Sequence, residues 1–284
     1  SLALATVTGL AACSDEGATS NDNTKDLGEI NLAYVEWDTE VASTHVVGQV
    51  LEDIGYDVKI TPLDNAIMWE AVSTGEADAM VAGWLPGTHA AQLEKYGANL
   101  DDLGPNLEGA KIGLVVPSYM DVNSIADLTG EASAVITGIE PGAGIMSATE
   151  KALDAYPNLA SWSLLPSSSG AMTVALDQAI KNEEEIVVTG WSPHWKFATY
   201  DLKYLDDPEG IFGGDESIHT FVRQNLEADA PEAYKVLDAF NWTSEAVEEV
   251  MLEINGGKSP EDAAAKWIKA NKDQVDKWKA ELEG

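Results

Sequence analysis

The chain has 284 residues, room for one large or two medium domains with proper cores; 45% are hydrophobic and 23% charged, an ordinary globular composition. The charge is not ordinary: 49 Asp and Glu stand against 16 Lys and Arg, a formal net charge of −33, and Arg223 is the only arginine. Such a surface repels nucleic acid and anionic lipid headgroups, so no nucleic-acid partner is expected, and the acidity reads as a solvated surface of the kind suited to high salt.

In chain order, residues 1–12 carry no charge and read as the apolar part of a secretion signal without its basic start. Leu10-Ala11-Ala12-Cys13 resembles the bacterial lipobox, in which cleavage precedes a cysteine that becomes lipidated. Cys13 is the sole cysteine, so no intramolecular disulfide is available. Residues 14–29 are polar and read as a flexible tether. No other segment approaches the roughly 18 apolar residues of a membrane span. The expectation is an exported protein held by its lipid to the outer face of the cell membrane, in the periplasm where an outer membrane exists.

Ile30 to Trp37 then reads as a strand, and Thr39 to Ile54 as an amphipathic helix with Val41, Val46, Val47, Val50, Leu51 and Ile54 on one face. Gly55 stops it. Tyr56 to Leu63 is a strand, Asn65 to Thr74 a helix ending at Gly75, Ala79 to Gly83 a strand delivering Trp84, and Thr88 to Tyr96 a helix. This βαβαβ order is that of a parallel sheet covered by helices. Asp101 to Gly109, rich in Gly, Asp and Pro, reads as a loop before a strand at Lys111 to Val116. The pattern restarts after Tyr119: strand Ala134 to Ile139, turn Glu140 to Gly144, helix Ile145 to Tyr156, strand Trp162 to Leu165, helix Ala171 to Lys181, and strand Ile186 to Gly190 delivering Trp191. Ile218 to Val222 is a returning strand, followed by helices at Pro231 to Phe240, Ser244 to Ile254 and Pro260 to Glu281. The expected fold is α/β with two lobes, residues 30–118 with 216–284 and residues 119–215. Two crossings between lobes imply a hinge and a cleft, where small ligands bind.

Trp37, Trp84 and Trp191 each close an apolar strand, and two of them continue into near-copies, Gly83-Trp84-Leu85-Pro86-Gly87-Thr88-His89 and Gly190-Trp191-Ser192-Pro193-His194. Strand ends beside such turns are where ligands enter open α/β sheets. Several indole faces together suit a cation that has no N–H to donate, since they offer a negative quadrupole and apolar contact at once. That is a quaternary ammonium compound. His89 is placed to donate to a carboxylate on the same ligand, and the Glu140 to Met146 turn opens a helix whose free N–H groups form an anion site; it lacks the Lys-Ser/Thr of a phosphate loop. Trp69, Trp162, Trp195, Trp242, Trp267 and Trp278 read as packing residues and His45 as structural. No His/Cys/carboxylate cluster has metal spacing and no Gly-x-Ser-x-Gly element occurs, so neither catalytic residues nor a cofactor or metal are expected.

Val35-Glu36-Trp37-Asp38, Ala82 to His89, Gly138 to Met146 and Thr189 to Trp195 together resemble the glycine betaine-binding proteins of osmoprotectant ABC importers. The resemblance runs from about Ile30 to the C-terminus and implies the two-lobed periplasmic-binding-protein fold (type II-like), with the ligand in the interlobe cleft. It implies a tryptophan prism around the trimethylammonium head, here Trp37, Trp84 and Trp191. It also implies carboxylate contacts from His89 and from the backbone amides of Gly144 and Ile145. The implied partners are glycine betaine, with proline betaine as a second ligand, and an ABC transporter permease with its ATPase; the receptor itself is expected to be a monomer. A choline or carnitine receptor is the alternative within the class, and a ligand-sensing domain the alternative outside it.

Overall fold

The computed structural model describes residues 26–283; the signal remnant, Cys13 and nearly all of the tether lie outside them. The first half runs β1 (Gly28–Tyr34), α1 (Asp38–Ile54), β2 (Tyr56–Pro62), α2 (Asn65–Thr74), β3 (Ala79–Leu85), α3 (Ala90–Tyr96) and β4 (Leu100–Pro117). Then come β5 (Val135–Thr137), α4 (Gly144–Ala155), β6 (Ser163–Leu165), α5 (Ser169–Lys181), β7 (Val187–Ser192), α6 (Trp195–Thr199) and β8 (Leu202–Tyr204). The chain closes with β9 (Glu216–Arg223), α7 (Leu226–Asp229), α8 (Pro231–Ala239), α9 (Ser244–Asn255), α10 (Pro260–Ala270) and α11 (Lys272–Trp278).

The strands form one continuous sheet in the order β2-β1-β3-β9-β4-β7-β5-β6, with β8 attached to β4. At each outer part the pairing is parallel, β1 with β2 and β3, and β5 with β6 and β7. The middle is antiparallel: β9 lies between β3 and β4, and β4 pairs β7. The two-lobed α/β expectation is met, with β9 running against the strands of its own half.

β4 is where the sequence misled. Asp101 to Gly109 is strand, not loop: Leu100 to Ala110 pair β9, with the register slipping at Asp102/Pro105, Pro105/Leu107 and Glu108/Ala110. Bulges of this kind absorb residues that regular pairing rejects, here Pro105 and the positive-φ Gly104 and Gly109. The same strand then changes partners. Lys111 to Val115 pair β7, and Val115 to Pro117 also pair β8. Lys111 to Val116, grouped by sequence with residues 30–118, therefore hydrogen-bonds to strands of residues 119–215.

At the C-terminus the helix expected over Pro260 to Glu281 breaks at Asn271, whose non-helical backbone (φ −117°, ψ 38°) separates α10 from α11. The break seats Trp278 against Phe240 and Trp267, and Trp267 against Trp242, in one buried aromatic cluster. These tryptophans pack as expected. Among the described residues no helix is long and apolar enough to cross a membrane.

Candidate functional site

Trp37 is not in β1; three residues beyond it, its extended backbone (φ −84°, ψ 146°) forms the N-cap of α1. Trp84 and Trp191 lie within β3 and β7, one residue from their ends. All three indoles are buried and line one cavity together with Glu40, Thr88, His89, Ile112, Ile139, Ala143, Gly144, Ile145. The structure thus brings together all six cavity residues singled out in the sequence, from elements far apart along the chain. The space open to a water-sized sphere is about 30 Å³, so the walls stand close together.

The first turn of α1 orients the indoles. Trp84 Nε1 donates to Glu40 Oε1 at 2.7 Å, and Trp191 Nε1 to Thr39 Oγ1 at 3.0 Å. Trp37 Nε1 donates to Glu140 Oε2 at 3.2 Å, reaching the turn before α4. With their N–H edges engaged, the rings have only their faces to offer to the cavity. Acidic groups here are also favoured by the partial positive charge of a helix N-terminus.

Asp38 joins the two halves. It accepts from Trp195 Nε1 at 2.8 Å and from His194 Nε2 at 3.2 Å. Burial raises its carboxyl, but those hydrogen bonds and the nearby charges of His194 and Lys196 prevail and hold it at about 2. Trp195, read from sequence as packing, is therefore a hydrogen-bond donor across the cleft. Behind Trp191 lies Lys196, fully buried, its Nζ 4.4 Å from the indole centroid and 3.4 Å from the Trp191 carbonyl. Burial pulls its amine down to about 7, against the opposing pull of Asp38.

His89 is fully buried, and Nδ1 accepts the Trp84 amide proton at 3.0 Å. The ring proton accordingly sits on Nε2, which has no hydrogen-bond partner. Burial drives the imidazole down to about 3, with a weaker upward pull from the Ala82 carbonyl. It is a neutral donor on the cavity wall, stacked on Trp37 with ring centroids 5.8 Å apart. Glu216 fixes the preceding turn by accepting from the amides of Gly87 and Thr88 at 2.6 and 2.7 Å. Gly144 and Ile145 open α4, which no side chain caps, so their amides have no intrahelical acceptor. A Cβ on Gly144 would collide with the Thr88 carbonyl; glycine lets the helix end come this close.

Asp38, Thr39, Glu40, Glu140 and Lys196 were missed as site residues in the sequence. Asp-Thr-Glu after a tryptophan reads as an ordinary helix start, and only the fold aims these side chains. Lys196 carried no signal, since nothing local marks a lysine as buried.

Comparison with known proteins identifies the family. The family model for the substrate binding domain of ABC-type glycine betaine transport systems matches residues 28–270. The glycine betaine/carnitine transport binding protein GbuC of Listeria monocytogenes is 53% identical over 153 residues, 54% of this chain and 51% of that protein. The match thus spans about half the length of that relative. Lactococcal OpuAC, solved closed with glycine betaine, is 59% identical at TM-score 0.87, covering 88% of this chain and 99% of that one. A choline-binding protein of an ABC transporter, solved with choline, is 26% identical at TM-score 0.82, covering 88% of this chain and 91% of that one. The chain belongs to the family of substrate-binding domains of ABC-type glycine betaine transport systems.

Proposed function

We propose that this protein captures glycine betaine in the cavity between its lobes and delivers it to an ABC permease driven by an ATPase. The carrying observation is the polarity of the cavity. One part is formed by Trp37, Trp84 and Trp191, whose N–H groups are spent on Glu140, Glu40 and Thr39. The remainder presents donors without partners, His89 Nε2 and the first amides of α4. A trimethylammonium fits the first and a carboxylate the second. Each desolvated cation–π contact is worth about 2 kcal/mol, and hydrogen bonds to a carboxylate about 1.5–3 kcal/mol each. Together they exceed the several kcal/mol of lost ligand freedom by enough for micromolar binding. Proline betaine has the same two ends and is a second ligand.

The ligand joins the halves, since Trp37, Trp84 and His89 come from the first and Gly144, Ile145 and Trp191 from the second, so differential contact favours the closed state. The receptor acts as a monomer, exported and anchored through a lipid on Cys13. Calorimetric titration with glycine betaine, carnitine, choline and proline, followed in parallel by tryptophan fluorescence, tests the reading. Micromolar binding of glycine betaine is expected; the absence of both heat and a fluorescence change would sink it. Choline is the second reading, supported by the choline complex of the 26% identical relative.

A further inference from the structure

Glu40 is a carboxyl inside an aromatic cage. It is 1% exposed and lines the cavity. Oε1 is held by Trp84 Nε1, and Oε2 has no hydrogen-bond partner. An ionised carboxylate so placed would lack both solvent and a counter-ion, an arrangement proteins avoid by pairing the charge or neutralising it. The groups around it supply no cation. Asp38 on the same helix is an anion that raises it further, and His89, beyond β3, is neutral. The cavity residues from the other half (Ile139, Ala143, Gly144, Ile145 and Trp191), and Ile112 of β4, are all uncharged. Lys196 lies behind Trp191 and His194 points to Asp38.

We propose that Glu40 makes closure of the cleft conditional on a cationic ligand. With the lobes apart, water reaches Glu40 and it is ionised. Closing on nothing, or on a neutral group, buries that charge or forces it to take up a proton. A quaternary ammonium in the cage supplies the missing counter-charge, and closure proceeds without proton uptake. Burial accordingly lifts this carboxyl to about 8 from an ordinary 4.5, despite the hydrogen bonds from Trp84 and from its own backbone amide. The inference rests on the betaine reading above and adds to it a residue that selects for charge rather than shape.

The test uses glycine betaine and 3,3-dimethylbutanoate, in which carbon replaces the quaternary nitrogen and only the positive charge is lost. Calorimetry at pH 7.5 gives the ratio of the two affinities for the wild type and for Glu40→Gln, which keeps the acceptor for Trp84. The ratio is expected to fall by at least about tenfold in the variant. Lys196, 4.4 Å behind the Trp191 ring, is present in both proteins and cancels when the wild-type ratio is compared with that of the variant. A ratio unchanged within threefold would overturn the proposal. In the wild type alone, from pH 5.5 to 7.5, binding of the isostere should weaken by roughly tenfold or more, with proton uptake visible as a buffer-dependent heat. Glycine betaine affinity should show no such loss, since deprotonation of Lys196 near pH 7 removes a cation from behind Trp191. A level isostere affinity, or an isostere that binds neither the variant nor the wild type at pH 5.5, would overturn it as well. Failure of glycine betaine itself to bind the wild type would instead remove the underlying reading along with it.

Discussion

Gly144 and Thr88 meet across the cleft so closely that a Cβ on Gly144 would run into the Thr88 carbonyl oxygen and Cγ2. One belongs to the first turn of α4 and the other to the turn after β3, so the clash would arise only as the lobes come together. Gly144→Ala is therefore expected to weaken glycine betaine by at least about tenfold, roughly 1.4 kcal/mol. The melting temperature of the ligand-free protein should move by no more than a degree or two. Calorimetry and a thermal melt check both.

Trp191 presents its face to the cavity with its N–H on Thr39. Trp191→Ala should cost about 2 kcal/mol or more of ligand affinity, at least tenfold. Full affinity in this variant would remove Trp191 from the cage.

The Nε2–H of His89 has no hydrogen-bond partner in the protein and in the proposed reading meets the ligand's carboxylate. His89→Ala should weaken glycine betaine at least tenfold, in line with about 1.5–3 kcal/mol for a hydrogen bond to a charged group, and leave choline, which has no carboxylate, within about twofold. Parallel titrations of both ligands decide it, and equal losses would place His89 in a purely structural role.

Asp38 holds His194 and Trp195 from across the cleft. Asp38→Asn keeps an acceptor but loses the charge that strengthens both bonds. The ligand should leave faster by about tenfold, read by stopped-flow tryptophan fluorescence. The association rate should change far less, because the contact forms after encounter.

Lys196 has a folded-state amine lowered to about 7 from 10.5. The unfolded chain then binds more protons than the native one between those values, so this group makes stability rise with pH across that window. Glu40 works the other way, its raised carboxyl costing stability as pH climbs from 4.5 to about 8. Denaturant melts between pH 8 and 9, below the titration of the tyrosines, whose raised folded-state values would lower stability nearer pH 10, isolate the lysine. Stability should rise there in the wild type and stay flat in Lys196→Met, which should also be more stable at pH 7.

Most helices and parallel strands were legible because their apolar spacing is regular: α2 falls at Asn65–Thr74, as its periodicity and Gly75 dictate. The six cavity residues were legible because their motifs are short and local. What stayed hidden depends on partners. Asp101 to Gly109 carries every mark of a loop, and only pairing with β9 and the bulges at Pro105 make it a strand. Asn271 breaks a helix that Trp267 and Trp278 would otherwise continue, a choice made by packing. Glu40 and Lys196 look like any charged residues, since burial is a property of the assembled fold.

β4 hydrogen-bonds to β9 over Leu100 to Ala110 and to β7 from Lys111 onward. One half of the molecule cannot slide along this strand relative to the other without shearing a ladder. Rotation of the chain between Ala110 and Lys111 leaves both ladders whole. The chain also crosses back between β8 and β9, so in the proposed closure the angle between the halves is set at these two crossings together. An importer that docks both halves at once would read occupancy from that angle alone, without touching the ligand.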